Sequence, residues 1–408
     1  MKILGISIDK EYLLIPDLLW DGVSAGLKKN LAVLISNGLI KEIVPAHLVR
    51  KQPGIECVYL PELILMPGLV DCHVHFSMNC LNLSQAIDNW HNNPTVVMDL
   101  ARQAAADYLA NGVLAVRDGG DKMNIGLEVK NRINRSDFPG SVITATGQAI
   151  FRKGKYGDFL GPGADSLEDA LVQAELFRGT GIDQLKVIIS GLVSFKDYGM
   201  VGPLQFSTAE LTEIVNKAHG MGLKVMTHAS SAKAVETAVL AGVDSVEHGY
   251  FVETAQLELM AKKDTAWIPT LAPLGNLVTN GQIPYPGAAS DVIKKSFELQ
   301  LCRLREASRL GVNLGIGTDA GANQVPHGFS YHQELQYYSM AGLDRAEILK
   351  LATKVSAKII GREKTLGSIG PGKSPFLIAL SGNPFKSLSH LKSPNTVIIP
   401  EPFAAVLP

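Results

Sequence analysis

Short apolar runs alternate with segments of helical periodicity over most of the chain. Residues 63–66 form a continuous apolar run bounded by proline and glycine, which is typical of a strand buried on both faces. Farther along, Ser207 and Glu210 form a capping-box pattern that predicts the start of a helix. The predicted strands end near His75, Asp118, Thr146, Ser190, His228, His248, Pro269 and Asp319.

Eight alternations of strand and helix indicate a closed, parallel (β/α)8 barrel, the TIM barrel. Residues 1–66 differ from this pattern, because they contain short strand-like pieces separated by turn signals. Glycine and proline punctuation returns after about residue 362. We therefore expect an α/β protein with a (β/α)8 barrel over residues 67–361. A small β-sandwich domain, formed from both chain ends, is expected over residues 1–66 and 362–408.

Several predicted strands end in side chains that bind metals. His73 and His75 are two positions apart, so an extended strand directs both imidazoles to one side. His228 and His248 end the fifth and sixth strands, and Asp319 ends the eighth. The carboxyl ends of barrel strands form one active-site face, so these side chains should meet there. Neutral imidazole and carboxylate suit zinc or a similar divalent ion, so the sequence predicts a metal site.

Motifs distributed over nearly the whole chain resemble those of the amidohydrolase superfamily. They are Pro67 to His75, Lys186, Thr227-His228-Ala229, Glu247-His248-Gly249 and Gly317 to Gly321. The fourth-strand pattern from Lys186 to Gly191 and the segment from Pro326 to Leu335 are most similar to one branch. That branch comprises the prolidase-type and imidazolonepropionase-like amidohydrolases, which hold two metals.

The resemblance implies a binuclear site and a modified lysine. Lys186 would bridge two divalent metals, expected to be zinc, as a carbamate formed with CO₂. Asp319 would accept a proton from the hydroxide that bridges the metals and deliver it to the departing nitrogen. The implied metal ligands are His73, His75 and Asp319 for one metal, and His228 and His248 for the other.

The function implied by this resemblance is hydrolysis of an amide bond, for example in a dipeptide or an N-acyl amino acid. Hydrolysis of a lactone or another ester would use the same site and stays open as an alternative. A mononuclear deaminase or cyclic-amide hydrolase is the other alternative. Such deaminases usually have a glutamate three residues after the fifth-strand histidine, where this chain has Ser231, and Lys186 would then have no metal to bind. A scaffold without catalysis should have lost ligands, and none is missing.

Loops after the strands contribute candidate substrate contacts. Arg152 lies in a loop with several cations that could meet a carboxylate or solvent, Tyr198 follows the fourth strand, and His327 follows the eighth. Arg117 and Asp118, after the second strand, are expected to form a structural pair below the metals.

Composition narrows the class of partner. A net charge of −1 and the absence of long like-charge runs argue against nucleic acid or an anionic membrane. No run reaches the ~18 apolar residues of a membrane span. Four cysteines without paired spacing favour a reducing, cytoplasmic compartment. The expected partner is therefore a small-molecule substrate, and the expected assembly is a homo-oligomer.

Overall fold

The computed structural model describes residues 1–48, 54–80, 83–281 and 287–404, which form a mixed α/β structure. The strands are β1 (Lys2–Ile6), β2 (Glu11–Leu19), β3 (Lys28–Lys29), β4 (Leu31–Ser36), β5 (Leu39–Pro45), β6 (Ile55–Pro67), β7 (Leu69–Val74), β8 (Val113–Asp118), β9 (Val142–Ala145), β10 (Ala149–Ile150), β11 (Gln184–Ile188), β12 (Lys224–Ser231), β13 (Ser245–Phe251), β14 (Ala266–Ile268), β15 (Leu377–Leu380) and β16 (Thr396–Pro400).

The α-helices cover the strands or connect them. They are α1 (Leu83–Asn92), α2 (Pro94–Ala110), α3 (Ile125–Asn134), α4 (Leu167–Gly179), α5 (Thr208–Gly220), α6 (Ala232–Ala241), α7 (Thr254–Lys263), α8 (Ala272–Thr279), α9 (Ala288–Leu310), α10 (Phe329–Met340), α11 (Arg345–Lys350), α12 (Ser356–Ile359) and α13 (Glu401–Ala404). A π-helical turn, Leu351–Val355, joins α11 to α12. Within the described part of the chain, no helix combines the length and apolarity that a bilayer crossing demands.

Strands from both ends of the chain share one mixed sheet. Its order is β1-β16-β15-β6-β2-β4-β5, with β3 paired to β2. A separate apolar core consists largely of side chains from these strands, among them Tyr12, Val33 and Leu377. Hydrogen bonding therefore joins these strands into a single sheet. The boundaries of the predicted barrel and β domain, at residues 66 and 362, stay a prediction.

The remaining strands form two parallel sheets, β7-β8-β9 and β10-β11-β12-β13-β14. All residues of β7, β8 and β11 are buried, as expected for strands covered on both faces. Residues 314–320 connect the two sheets through parallel bridges, from Leu314 to Trp267 in β14 and from Ala320 to Val74 in β7. This segment therefore occupies the place predicted for the eighth strand.

Two helices agree with local patterns in the sequence. Helix α2 spans Pro94–Ala110, which is an alanine-rich stretch. Helix α5 begins after Ser207, whose side chain accepts a hydrogen bond from the amide of Glu210, while the Glu210 carboxylate accepts from the amide of Ser207. Both helices follow parallel strands and pack on the outside of the sheets, which leaves the strand ends free to form a site.

Candidate metal centre

The predicted ligands come from neighbouring strands of the parallel sheets. In the register between β11 and β12, Ile188 pairs with His228, and in the next register Ala229 pairs with His248. His248 and Asp319 have left-handed backbone conformations, with φ of 66° and 58°. Such conformations are uncommon for residues other than glycine and often occur at functional sites. Here His248 lies within β13, and Asp319 lies in the segment between the two parallel sheets.

Three ligand atoms lie within 4.8 Å of one another and form a candidate metal site. Nε2 of His73 is 3.3 Å from Nε2 of His75. Oδ1 of Asp319 is 3.6 Å from the first of these nitrogens and 3.5 Å from the second. Two ligands bound tetrahedrally to zinc at about 2.0–2.1 Å are roughly 3.3–3.4 Å apart. The three atoms therefore have the spacing of ligands around one ion.

Hydrogen bonds behind His73 and His75 leave their Nε2 lone pairs free to bind a metal. Nδ1 of His73 donates to Oε2 of Glu247 at 2.8 Å, and Nδ1 of His75 donates to the carbonyl of Gly120 at 3.0 Å. The Glu247 carboxylate and the Gly120 carbonyl can only accept hydrogen bonds, so each Nδ1 carries a proton. In a neutral ring, Nε2 is then unprotonated. Burial also lowers the pKa of His75 to about 3 and lowers the pKa of His73, so both rings are neutral at pH 7.

Hydrogen bonds also orient the second histidine pair. His228 is held through Nε2, whereas His248 is held through Nδ1, like the first pair. Nε2 of His228 donates to the carbonyl of Gly191 at 3.4 Å, which leaves Nδ1 as its free lone pair. Nδ1 of His248 donates at 2.8 Å to Oγ1 of Thr270, whose own hydroxyl donates to the carbonyl of Pro269. The free lone pair of His248 is therefore on Nε2. Burial lowers the pKa of His228 to about 3 and also lowers the pKa of His248.

Lys186 lies among these histidines and is only 2% exposed. Burial lowers the pKa of its ammonium, although the carboxylates of Glu247 and Asp319 act in the opposite direction. Burial raises the pKa of Asp319, and the neighbouring Lys186 charge partly offsets that rise. Both side chains are thus closer to their neutral forms than in water.

A buried ion pair supports the site and was not anticipated from the sequence. Nη2 of Arg117 donates to Oε1 of Glu247 at 2.8 Å, and Oγ of Ser245 donates to the same oxygen at 2.7 Å. Nε of Arg117 also donates to the carbonyl of Cys72 at 2.7 Å. Since Glu247 orients His73, this pair connects the interior of the sheets to a metal ligand.

The expected pairing of Arg117 with Asp118 is wrong. Asp118 instead accepts hydrogen bonds from the amides of Phe76 and Gly120, both at 2.9 Å. Adjacent residues of a strand point to opposite faces, so Arg117 points inward to Glu247 while Asp118 binds the loop after β7. The acid beside His248 in the sequence was the signal that could have identified Glu247.

A cavity of about 270 Å³ lies in front of the six predicted metal-site residues, all of which line it. Apolar and aromatic side chains form most of the remaining wall. The ring of Tyr156 is 5.3 Å from that of His228, and the ring of Tyr250 stacks on His248 at 5.8 Å. The other lining residues are Met78, Leu83, Phe159, Leu160, Ile188, Leu192, Val193, Phe195, Ala322 and Asn323.

Comparison with known proteins agrees with this geometry. Residues 64–400 match the sequence model of the Amidohydrolase family. The chain belongs to this family. The resemblance to the amidohydrolase superfamily is therefore confirmed, and the protein is a hydrolase that acts on carbon–nitrogen bonds. Members of the family generally use divalent metals, in agreement with the candidate site.

Individual relatives cover most of this amidohydrolase. Ochratoxinase from Aspergillus niger is 25% identical over 414 aligned residues, which cover 90% of this chain and 81% of that protein. Imidazolonepropionase from Clostridium tetani is 23% identical over 402 residues, which cover 90% and 88%. A solved Xaa-Pro dipeptidase with methionine in its active site has a TM-score of 0.83 and 26% identity. That likeness covers 96% of this chain and 98% of the dipeptidase.

Two of the three predicted substrate contacts of this amidohydrolase make other interactions. The guanidinium of Arg152 forms an ion pair with Glu210 and lies 4.9 Å from the ring centre of Phe206. Tyr198 is 38% exposed, and Nζ of Lys295 lies 3.9 Å from its ring centre. Neither Arg152 nor Tyr198 lines the cavity among the described residues.

The third predicted contact, His327, has both ring nitrogens in hydrogen bonds. Nδ1 lies 2.9 Å from the hydroxyl of Tyr108, and Nε2 lies 2.8 Å from the carbonyl of Met78. Its ring stacks on Phe76 at 5.8 Å. His327 therefore holds the loop after β7 in place, and its contact with substrate stays a prediction.

Proposed function

We propose that this amidohydrolase cleaves the amide bond of a small molecule, such as a dipeptide or an N-acyl amino acid, at a site for two divalent cations. One observation carries the proposal. Four buried histidines whose tautomers are fixed by hydrogen bonds converge with Lys186 and Asp319 on a single cavity. In a protein that acts on carbon–nitrogen bonds, such a set of residues is suited to activating a water molecule for attack on a carbonyl carbon.

The donor set fits two metals. Zinc prefers neutral imidazole nitrogen and carboxylate oxygen, which these residues offer without a proton to displace. When bound, the cations would act as Lewis acids and lower the pKa of water, so that hydroxide is available near neutral pH. The residues that would hold them are His73, His75 and Asp319 for one cation, and His228 and His248 for the other.

Lys186 would complete the site as a carbamate. Because burial lowers its pKa, the free amine is accessible near neutral pH. Its Nζ would form a bond to the carbon of CO₂ and lose a proton, which leaves one negative charge on the new carboxylate. An anion at this position could contact both cations, whereas the ammonium form would repel them.

Asp319 would transfer the proton of the reaction. Its carboxylate lies in the candidate metal site, where it would be next to the attacking water. It would accept the proton from the attacking water and donate it to the departing nitrogen. This protonation is needed because an amine leaves far more readily than its anion.

The alternatives differ in how well the residues support them. A lactone or other ester could be attacked by the same groups, but membership of the amidohydrolase family favours the amide. A mononuclear deaminase is less well supported. Oγ of Ser231, at the position of the glutamate in such deaminases, accepts a hydrogen bond from the amide of Ala234 and caps α6.

The proposal includes the fold and setting of the enzyme. We infer that residues 67–361 close into a (β/α)8 barrel through the segment 314–320, with residues 1–66 and 362–408 as the β domain. The cysteines are free, which supports a reducing compartment such as the cytoplasm. Assembly into homo-oligomers stays a prediction.

The test is a substrate screen of protein loaded with zinc in the presence of bicarbonate. We expect turnover of dipeptides or N-acyl amino acids, and about two zinc ions per chain by elemental analysis. Labelled ¹³C-bicarbonate should give a carbamate signal in NMR spectra that Lys186→Met abolishes. Asp319→Asn with metal retained should lose turnover. The proposal would be contradicted if the protein bound no zinc, or if it hydrolysed lactones but no amide.

A further inference from the structure

One side of the cavity is formed by a short hairpin that follows β11. Residues 191–202, here called the mouth hairpin, are joined by an antiparallel bridge between Val193 and Val201. The amide of Gly202 donates to the carbonyl of Leu192 at 2.9 Å, and the amide of Ser194 donates to the carbonyl of Met200 at 2.8 Å. These bonds hold the hairpin in a defined position beside the metal-site residues.

The mouth hairpin presents apolar side chains both to the cavity and to solvent. Val193 and Phe195 line the cavity and pack against the hydrophobic core. Leu192 also lines the cavity but is 54% exposed, so it lies at the rim. An apolar lining with few polar groups is typical of cavities that bind small molecules.

Another part of the cavity wall is aromatic and uncharged. Tyr156 and Phe159 contact each other, with ring centres 5.6 Å apart, and Tyr250 stacks on His248. Burial raises the pKa of Tyr156 and of Tyr250, so both hydroxyls stay protonated. The two sides together can hold a flat or branched apolar group next to the reacting bond.

The charged groups of the cavity belong to the proposed metal centre. Among the lining residues that the structure describes, Lys186 and Asp319 are the only ones that are not histidines, tyrosines or uncharged residues. Arg152, the cation that the sequence offered for a substrate carboxylate, is paired with Glu210 instead. A substrate carboxylate buried against Val193 and Phe195 would therefore lose water without a counter-charge from the lining side chains there, which is unfavourable.

We propose that the preferred substrates are small, uncharged amides with an aryl or branched alkyl group beside the scissile bond, selected by the mouth hairpin and the tyrosine side of the cavity. This inference rests on the proposed amide hydrolysis and narrows it. Among the dipeptides and N-acyl amino acids considered above, forms with a blocked carboxylate would be cleaved faster than the free acids.

The first test compares two substrates that differ only in charge, acetanilide and 4-acetamidobenzoate. In each, water adds across the C–N bond and releases acetate and an aromatic amine. For the zinc-loaded enzyme we expect kcat/KM to be at least tenfold higher for acetanilide. A preference for 4-acetamidobenzoate would overturn the inference while it upheld amide hydrolysis.

Two variants test the role of the mouth hairpin. Leu192→Arg places a cation at the rim and should reduce the preference for acetanilide at least fivefold. Met200→Arg adds the same charge to the same hairpin, but Met200 does not line the cavity and is 60% exposed. In the Met200→Arg variant, the ratio of kcat/KM for acetanilide to that for 4-acetamidobenzoate should change less than twofold. Equal effects of the two variants would show that the hairpin does not select the substrate.

Binding to the metal-free protein separates this inference from the proposed function. Ligand-observed NMR titrations should give a Kd for acetanilide at least fivefold below that for 4-acetamidobenzoate, and Leu192→Arg should reduce this difference. If neither compound is hydrolysed by the loaded enzyme, amide hydrolysis of this type fails, yet the titration still decides the charge preference. Equal or tighter binding of the carboxylate would overturn the inference.

Discussion

At the scale of single residues, Glu247 connects the buried guanidinium of Arg117 to His73, a proposed metal ligand. Its two oxygens accept hydrogen bonds from Arg117 and from Nδ1 of His73, and all three side chains are buried. The charge of Glu247 compensates that of Arg117, and its position fixes the tautomer of His73. Residues of this kind often affect metal affinity almost as strongly as the ligands themselves.

We therefore expect Glu247→Gln to weaken zinc binding about 10–100-fold. It should also lower the free energy of unfolding by about 3–5 kcal/mol, because Arg117 loses its buried counter-charge. Chelator competition and urea denaturation measure the two effects. The matched control is Glu128→Gln, in an exposed pair with Arg132, which should cost less than about 1 kcal/mol. Unchanged zinc affinity in the first variant would contradict the role assigned to Glu247.

A second residue, His332, should make stability depend on pH away from the metal centre. His332 in α10 is 2% exposed, and burial lowers its pKa from 6.5 to about 4. Below pH 6.5 the unfolded chain binds a proton at this ring that the folded protein does not. Stability is therefore lost as the pH falls from 6.5 towards 4.

For metal-free protein, His332→Gln should reduce the stability lost between pH 7.5 and pH 5 by about 2 kcal/mol. Urea denaturation at the two pH values measures this difference. The site histidines add the same pH dependence to both proteins, so they cancel in the comparison. His91→Gln, at an exposed position of α1, is the control and should leave the loss unchanged. An equal loss in wild type and His332→Gln would refute the prediction.

The sequence indicated the candidate metal ligands but not the hydrogen-bond and ion-pair partners of the residues around them. His73, His75 and Asp319 could be singled out because they come near the ends of apolar runs, and Lys186 because it interrupts one. The partner of Arg117 could not, since it depends on which strands become neighbours in space. The loop position of Arg152 was visible, but the Glu210 that binds it lies 58 residues farther along the chain.

At the scale of elements, the segment 314–320 carries Asp319 between the two parallel sheets. It lies against β7, where the amide of Asp319 donates to the carbonyl of His73 at 2.7 Å. Gly317 allows this close approach. A Cβ there would lie 2.4 Å from Cγ2 of Ile268 and 3.1 Å from the backbone nitrogen of His73.

Gly317→Ala should therefore displace the segment and cost about 1–3 kcal/mol of stability, as overpacking of a core does. Because Asp319 moves with it, zinc affinity should also fall. Calorimetry and chelator competition measure both effects. Gly370→Ala is the control, since a Cβ there meets nothing within 4 Å, and it should behave as wild type. A Gly317→Ala variant with normal zinc affinity would contradict this account of the segment.

Elements with local signals could be predicted, and elements without them could not. The start of α5 is encoded by Ser207 and Glu210, three residues apart. The segment 314–320 was predicted as a strand, but in the structure only isolated bridges to β14 and β7 give it that place. The mouth hairpin likewise depends on one bridge between Val193 and Val201 and has no alternating pattern that would reveal it.

At the scale of the whole molecule, bound metal should stabilise the folded state. The proposed ligands come from β7 and the residue after it, from β11, β12 and β13, and from the segment 314–320, which meet only in the folded protein. A ligand that binds only the native state stabilises it by about 4 kcal/mol when its concentration is a thousand times its Kd.

Removal of metal by EDTA should therefore lower the melting temperature by roughly 5–10 °C for a chain of this size. Scanning calorimetry with and without zinc measures the shift. His73→Ala should show a much smaller shift, whereas His91→Ala should show the full one. An equal shift in both variants would place the stabilising metal elsewhere.

The sheet shared by both chain ends also has a consequence for synthesis. Strand β6 pairs with β15 and β1 pairs with β16, across more than 300 residues. During translation, β1 and β6 are synthesised long before β15 and β16. The strand edges that will pair with them therefore stay exposed while the residues in between are translated. A nascent chain stalled before Leu377 should thus be a stronger client for chaperones than the finished enzyme.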